Sequence, residues 1–349
     1  MSPASLLVIP VFIPHEGCPH CCVFCNQHRI SGFTEKAVTA GDVQRTVRAW
    51  LDRNDPARCS RVQVAFYGGS FTALSRTRQE ELLGAVRPFL MQGRVQSLRL
   101  STRPDYIDPE RAALLRRYRV STVELGVQSM NDRVLELARR GHQSADVKQA
   151  VPVLRKAGME VGIQLMVGLP GDTRTSLRQS VEQLIALQAD FVRIYPLLLV
   201  RHSALAEQYR QGNYVPLSLK KAVLLVAWMK QRFDRAGIRI VRMGLQAGPE
   251  LESSLLAGPW HPAFGELVAS RLMLRRTRKL LAQARSEEKI QLSINERDQS
   301  VFRGMKSANV RRLQELGLWQ RIVLSTDSAL PRGTVTFANI LKGQPTPPV

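Results

Sequence analysis

"LLVIPVFIPHEGCPHCCVFC", residues 6–25, joins a short apolar run to four cysteines packed inside eight positions, in a chain of 349 residues that holds only five. The run is rich in β-branched residues and is followed by turn formers, which reads as a buried strand; it is far too short to span a bilayer. Neither a basic leader nor a small-residue cleavage site accompanies it, so the chain is expected to be cytoplasmic. In a reducing compartment, four cysteines in one knot with Cys59 alone elsewhere point to metal or redox chemistry rather than to a disulfide framework.

The same kind of run recurs as "RVQVAFYGG" (61–69), "VQSLRLST" (95–102), "VSTVELGVQS" (120–129), "MEVGIQLMVGLP" (159–170) and "DFVRIYPLLLV" (190–200). Stretches with helical spacing lie between these six candidate strands: residues 75–90, 108–118, 144–158 and 173–188. In the last of these Leu177, Val181, Leu184 and Ile185 share a face. In the third, Ser144 is the expected N-cap and Gly158 the expected C-terminal stop, and Pro152 predicts a kink or an early end. Strand and helix in strict alternation imply consecutive βαβ units and a parallel sheet, open or curled into a barrel. In either architecture ligands gather at the carboxyl ends of the strands. The least ordinary residues follow the strands: "HEGCPHCCVFC", "YGGSFT", "STRPDY", "GVQSM" and "GLPGDT".

A further helical stretch (217–237) and "IRIVRMGLQAGPE" (238–250) close the regular part, so a core domain over 1–247 is expected. A small mixed α/β region over 248–343 and a disordered, proline-rich tail over 344–349 follow. The formal net charge is +21, which biases encounters toward polyanions such as RNA or DNA; a basic surface with evenly spread charge would give the same number. The strongest local feature of the C-terminal region is the basic amphipathic stretch 270–285, with Arg271, Arg275, Arg276, Arg278 and Lys279.

Spacing sorts the readings of the cysteine knot. Two back-to-back CxxC pairs on one zinc make poor geometry, because zinc ribbons separate their pairs by a dozen or more residues. A ferredoxin run needs consecutive two-residue gaps, which adjacent Cys21 and Cys22 interrupt. The remaining parse takes Cys18, Cys22 and Cys25 as C-x3-C-x2-C with Cys21 as spacer, so that a 4Fe-4S cluster receives three thiolates and keeps one iron open. His15, His20 and His28 flank the knot, but three thiolates and an open iron leave them no ligand role. Cys59 reads as an ordinary thiol.

This pattern on the loop after the first strand of a β/α chain resembles the radical S-adenosylmethionine (SAM) superfamily. The resemblance implies a partial (β/α)6 TIM-like barrel. It also implies that the open iron binds the amino and carboxylate groups of SAM, and that one electron cleaves the sulfonium bond to give a deoxyadenosyl radical that abstracts hydrogen from the substrate. An electron donor such as flavodoxin or ferredoxin is then needed. The resemblance places Gly68, Gly69 and Ser70 at the SAM amino group, and Ser101, Thr102, Arg103, Glu124 and Gln128 near the ribose and methionyl carboxylate. A buried Glu in an apolar strand needs partners, which singles out Glu124. Gln164 and Val167 are candidate adenine contacts, Gly168 and Gly171 turn formers, and Tyr195 with Pro196 would close the adenine pocket. Phe24 would pack beside the cluster or adenine, or be an ordinary core aromatic.

"STRPDYI", "VELGVQSM", "RRGH", "GIQLMVGLPGDT", "VRIYPLLL" and "GPWHPAFGELV" narrow the resemblance to the radical SAM domain of the Elongator catalytic subunit and its shorter bacterial relatives, over roughly residues 8–270. The Elongator subunit modifies the wobble uridine of tRNA with SAM and acetyl-coenzyme A, and its acetyltransferase domain follows the radical domain. Fewer than a hundred residues follow position 270, without an acetyltransferase-like phosphate loop, so a stand-alone radical SAM protein is expected. The resemblance implies an RNA substrate, most closely tRNA, and the basic stretch after residue 270 fits it as well as it fits a solvated helix face. A porphyrin or other small metabolite is the alternative substrate, since oxygen-independent coproporphyrinogen oxidases share the cysteine spacing. A non-catalytic RNA-binding accessory that keeps its cluster is the third reading.

Overall fold

Period-two alternation organises each apolar run into a strand with one face toward helices and the other toward a concave interior. The computed structural model describes residues 6–26, 37–54, 61–246, 248–283 and 289–339. Cys59, His28 and the expected disordered tail lie outside the described residues. The chain divides into two compact units, residues 1–222 with 229–262 and residues 223–228 with 263–349.

In the first unit the described strands are β1 (Leu6–Phe12), β2 (Arg61–Tyr67), β3 (Ser97–Thr102), β4 (Val120–Gln128), β5 (Glu160–Val167), β6 (Phe191–Pro196), β7 (Leu199–Val200), β8 (Arg239–Met243) and β9 (Leu255–Ala257). A parallel sheet runs in the order β1-β2-β3-β4-β5-β6-β8. It curls into a half-barrel, the partial TIM-like architecture, and β7 pairs antiparallel with β9 beside it. β1 through β6 match the six expected runs; β8 extends the sheet by a seventh strand. "LLVIPVFIP" forms the edge strand β1 rather than a helix, and no helix among the described residues is long and apolar enough to cross a membrane.

Val64 and Phe66 on β2, Leu98 and Leu100 on β3, Val123 and Leu125 on β4 and Ile163 and Leu165 on β5 are buried. The helix Ser144–Lys156 covers β4 and β5 with Val147, Val151 and Leu154, and each side chain removed from water in this way stabilises by about 1.5–3 kcal/mol. Helices begin where Asp108, Asn131 and Thr173 accept the backbone N–H three residues on. The helix at 144 starts from Gln143 rather than from Ser144, whose amide and hydroxyl both donate to Asp132 (2.7 and 3.2 Å). Pro152 neither breaks nor ends it: the helix continues through Lys156, and Gly158 stops it with a φ of +77°.

The second unit has a three-stranded sheet of β10 (Ile290–Ile294), β11 (Ile322–Thr326) and β12 (Val335–Asn339), with β10 central, parallel to β11 and antiparallel to β12. The helix Phe264–Leu281 buries Met273, Leu274 and Leu281 in one core with Ile290, Leu292, Ile294 and Phe302. It is the small mixed α/β region expected from the sequence.

Gly162 on β5 shows how tightly the concave face is filled: a Cβ there would lie 2.2 Å from Cζ of Phe191, which is itself buried on β6. Gly162→Ala is therefore expected to cost about 1–3 kcal/mol, read as a lowered urea midpoint at unchanged slope.

Candidate functional site

The cysteine loop is held by backbone bonds to the loop after β2. Ile13 N–H donates to Tyr67 O (2.7 Å), His15 N–H to Gly68 O (3.1 Å) and Ser70 N–H to Glu16 O (2.9 Å). Turns at His15 and Cys22 close through Cys18 N–H to His15 O and Cys25 N–H to Cys22 O, both 3.0 Å. This approach leaves no room for side chains: a Cβ on Gly69 would sit 2.3 Å from Glu16 O, and one on Gly17 2.3 Å from Ser70 O. Gly17 and Gly68 also have positive φ, of 72° and 95°. Beneath the turns, the Glu16 carboxylate pairs with Arg78 at 3.0 Å.

The other end of the loop is tied to residues far along the chain. Val23 N–H donates to Ala138 O (3.2 Å), and Val23 O accepts from Leu205 N–H (2.8 Å). The Val23 side chain is fully buried among Val134, Ala138, Leu169, Leu197 and Leu205, and Phe24 packs onto the same cluster as a core aromatic. Cys18 and Cys21 are exposed, Cys22 and Cys25 half-buried, and all four are free thiols. Among the described residues no three Cys, His, Asp or Glu side chains already converge as a metal cage.

Two residues outside the sequence-derived set meet this loop. Arg140 donates from Nη1 to Cys22 Sγ (3.1 Å) and from Nη2 to Gly126 O (2.5 Å). The Arg140 carbonyl accepts from Arg103, whose other guanidinium edge is forked onto Asp105 at 3.0 and 2.8 Å. A Cβ on Gly141 would fall 2.3 Å from His20 Nε2, so the "RRGH" segment lies directly against the cysteine loop. His142 is buried, and its ring meets no side-chain hydrogen-bond partner, only the backbone of Val127. Burial, with the charges of Arg140 and Arg103, pushes its pKa down to about 3, so the ring is neutral near pH 7. The signal in the sequence was two adjacent arginines before a Gly-His at the end of a β/α unit, used for resemblance and not for chemistry.

The strand residues divide into two groups. Ser70 and Thr102 share a hydroxyl contact of 3.2 Å, Arg103 N–H donates to Ser70 Oγ (3.3 Å), and Thr102 lies 2.6 Å from Thr72. Deeper, Glu124 is completely buried and accepts from four strands: Tyr67 on β2 (3.1 Å), Arg99 on β3 (3.3 Å), Gln164 on β5 (3.1 Å) and Arg193 on β6 (3.0 Å). Gln164 also donates to Ser101 (3.2 Å). Burial and then the Glu124 charge raise the Tyr67 phenol far above its ordinary range, which keeps it a donor. Arg99 and Arg193, missed in the sequence, are single cations in apolar strands, like Glu124 itself.

The remaining candidates are more scattered. Gln128 is buried with φ +66° next to Gly126. Val167 is fully buried, and its carbonyl accepts from Leu197 N–H (2.9 Å). Gly168 and Gly171 have the positive φ expected of turn formers, and Tyr214 caps Gly168 O at 2.6 Å. Burial raises the pKa of Tyr195, beside Arg193 and Glu124. Chemically, the region offers four thiols on a solvent-reaching turn, side-chain-free backbone beside them, two buried arginines and a buried neutral imidazole. Soft thiolates alone fit an iron-sulfur cluster better than a hard cation, so this donor set suits such a group.

A family model described as "Radical SAM superfamily" matches residues 12–184, and one described as "Radical_SAM C-terminal domain" matches 189–273. An uncharacterized protein of Methanocaldococcus jannaschii is 27% identical over 230 residues, 64% of this chain and 70% of that one. A tRNA uridine(34) acetyltransferase of the same organism is 25% identical over 265 residues, 65% of this chain but only 49% of its own, so this chain spans about half of that relative's length. The structure of Methanocaldococcus infernus Elp3, with an N-terminal deletion, shares the fold at a TM-score of 0.60 and 20% identity, covering 80% of this chain and 63% of that chain.

Two outcomes follow from the buried groups. Glu124→Ala strands Arg99 and Arg193 in the interior and is expected to cost about 3–5 kcal/mol in urea unfolding. For His142 the native pKa lies below that of the unfolded chain. Its contribution to stability is therefore full above about pH 6.5 and falls by up to about 1.4 kcal/mol per pH unit as pH drops toward 3. Urea midpoints at pH 7 and pH 5 should separate more for the wild type than for His142→Phe; equal separations would remove His142 from this role.

Proposed function

The chain belongs to the radical SAM superfamily, whose enzymes work with a 4Fe-4S cluster and SAM, and on that premise we propose that it makes a carbon-centred radical on an RNA base, most closely in tRNA. The observation that carries this reading is the match to a tRNA-modifying relative across 65% of this chain, laid over the half-barrel and its cysteine loop. The net charge of +21 agrees with a polyanionic substrate. The proposal takes over the radical step and leaves acetyl transfer aside.

Cys18, Cys22 and Cys25 would hold the cluster, with Cys21 turned to solvent as a spacer. The cluster, when bound, supplies the electron for reductive cleavage of SAM. The protein's own residues do the rest. The Gly68-Gly69-Ser70 backbone, free of side chains, is where SAM's amino group can approach. Ser101 would meet the ribose, and Gln164 and Val167 would line the adenine, with Tyr195 and Pro196 closing that pocket. Arg140, donating to Cys22 Sγ and to Gly126 O, fixes the turn. The Glu124 hub ties β4 to β2, β3, β5 and β6 beneath the site.

Two measurements test this. The protein is reconstituted with iron and sulfide without oxygen, reduced, and assayed for deoxyadenosine released from SAM with bulk tRNA, with coproporphyrinogen, and with neither. Release should rise with tRNA; release that rises with the porphyrin instead, or ignores tRNA, overturns the RNA reading. Iron content tests the ligand set. Cys22→Ala should lose nearly all of it and Cys21→Ala almost none, and equal losses would refute the spacer assignment.

A further inference from the structure

In the second unit β10 and β11 run parallel, and the chain between them forms two short helices, Gln299–Arg303 and Ala308–Glu315, joined by Gly304-Met305-Lys306-Ser307. Asn309 seats this joint: its side-chain amide donates to Ser270 Oγ and to Phe302 O, both at 2.9 Å. Gly304 has a φ of +74°, and a Cβ on it would lie 3.0 Å from Ser270 Oγ. Lys306 and Ser307 are also left-handed, at φ +48° and +57°, although neither is glycine. Met305, Lys306 and Ser307 are exposed, so a strained backbone holds three residues out in water.

β11 is an edge strand, paired with β10 on one side only. Its sequence, "IVLST", has no charge, no proline and no bulge, the devices that close an edge. A cavity of 550 Å3 is lined from the helix side by Gln299, Arg303, Ser307 and Val310, and from the strand side by Trp319 and Leu324. No carboxylate lines it, and the side chains of Arg303 and Lys306 have no ion-pair partner among the described residues. An unpaired base suits such a groove: its faces stack on a ring and on apolar carbon, its polar edge meets strand backbone, and its phosphates meet the cations. An extended peptide could use the strand edge, but no charge repeats along its backbone for Arg303 and Lys306 to answer. A duplex keeps its base edges paired and out of reach. RNA-binding KH modules clamp about four nucleotides of backbone with a Gly-x-x-Gly loop between two helices. Ser307 stands at the last place of such a loop, in the conformation that glycine favours.

We propose that this groove takes a single-stranded RNA segment, with the sugar-phosphate backbone on the 304–307 loop and Arg303, and an unpaired base over Val310, Leu324 and Trp319 against the β11 edge. The proposal rests on the RNA reading above and deepens it: the C-terminal unit grips the RNA at an unpaired loop or end.

The test uses the full chain and anisotropy titrations of a labelled short single-stranded RNA over a salt series. Met305→Asp/Lys306→Asp changes two exposed side chains, so it should keep the wild-type thermal midpoint and bind the RNA about tenfold more weakly. Arg303→Gln/Lys306→Gln should make the slope of log K against log salt shallower by about 1.4, the share of two phosphate contacts on a single strand. If the aspartate pair lowers the midpoint, the glutamine pair, which only removes charge, decides through its slope. The RNA should quench tryptophan fluorescence in the wild type and much less in Trp319→Phe. Unchanged affinity in a folded aspartate variant or an unchanged slope in the glutamine variant overturns the proposal. So does displacement of the RNA by an RNA duplex or by polyglutamate as effectively as by the unlabelled strand. Deoxyadenosine release separates the two levels. If tRNA stimulates the wild type while the loop variants bind the short RNA as the wild type does, the groove assignment fails and the RNA reading stands. If the wild type neither binds tRNA nor responds to it, both fail together.

Discussion

A carboxylate with no access to water must find its donors inside the protein, and Glu124 finds them on four strands at once. Its demands set the half-barrel's interior. Arg99 and Arg193 answer the charge, Gln164 and Tyr67 fill the remaining acceptor positions, and the aromatic faces of Phe191 and Tyr67 lie 5.3 and 6.0 Å from the two guanidinium carbons. The residues involved are spread over more than a hundred positions of sequence, so the network forms only when β2 through β6 have paired in register. A one-residue slip in any of them would turn an inward polar group toward the helices. Such a hub contributes little net stability compared with an apolar core, but it strongly favours one register over its neighbours.

Above that hub the loops after β1 and β2 are joined to each other by backbone, and the buried Val23 side chain anchors the far end of the cysteine loop. Gly17, Gly68 and Gly69 let the turns after β1 and β2 lie against each other at distances no Cβ would tolerate. The thiols therefore project from a segment that is stiff at its root and solvent-reaching at its tip. That division suits a group which must be loaded from outside and then held still.

The strands were legible because their signal is local: β-branched runs of five to nine residues, punctuated by glycine and proline. β8 was harder, since "RIVRM" places arginines on an edge strand and lacks a continuous apolar face. The start of the helix at Ser144 was misjudged by one position because Asp132, twelve residues earlier, takes the serine's donors. Pro152 kept its helix intact because tertiary burial of Val147, Val151 and Leu154 outweighs one missing backbone bond. The cysteine spacing and the glycine pair were legible as chemistry, for their pattern is short. Arg99, Arg193, Arg140 and His142 were not, because what distinguishes each is a neighbour 14 to 118 residues away, which no window of sequence displays.

The two bonds of Val23, one to Ala138 and one to Leu205, bear on the order of events during synthesis. Both partners follow the cysteines in the chain, so the near side of the thiol turn can be tied down once β2 has paired, whereas its far side waits for the fourth β/α unit and the residues beyond β7. In that interval the thiols sit on a half-anchored turn, open to oxidation and to stray metal. A cofactor held by this turn is therefore held firmly only after those later strands have arrived.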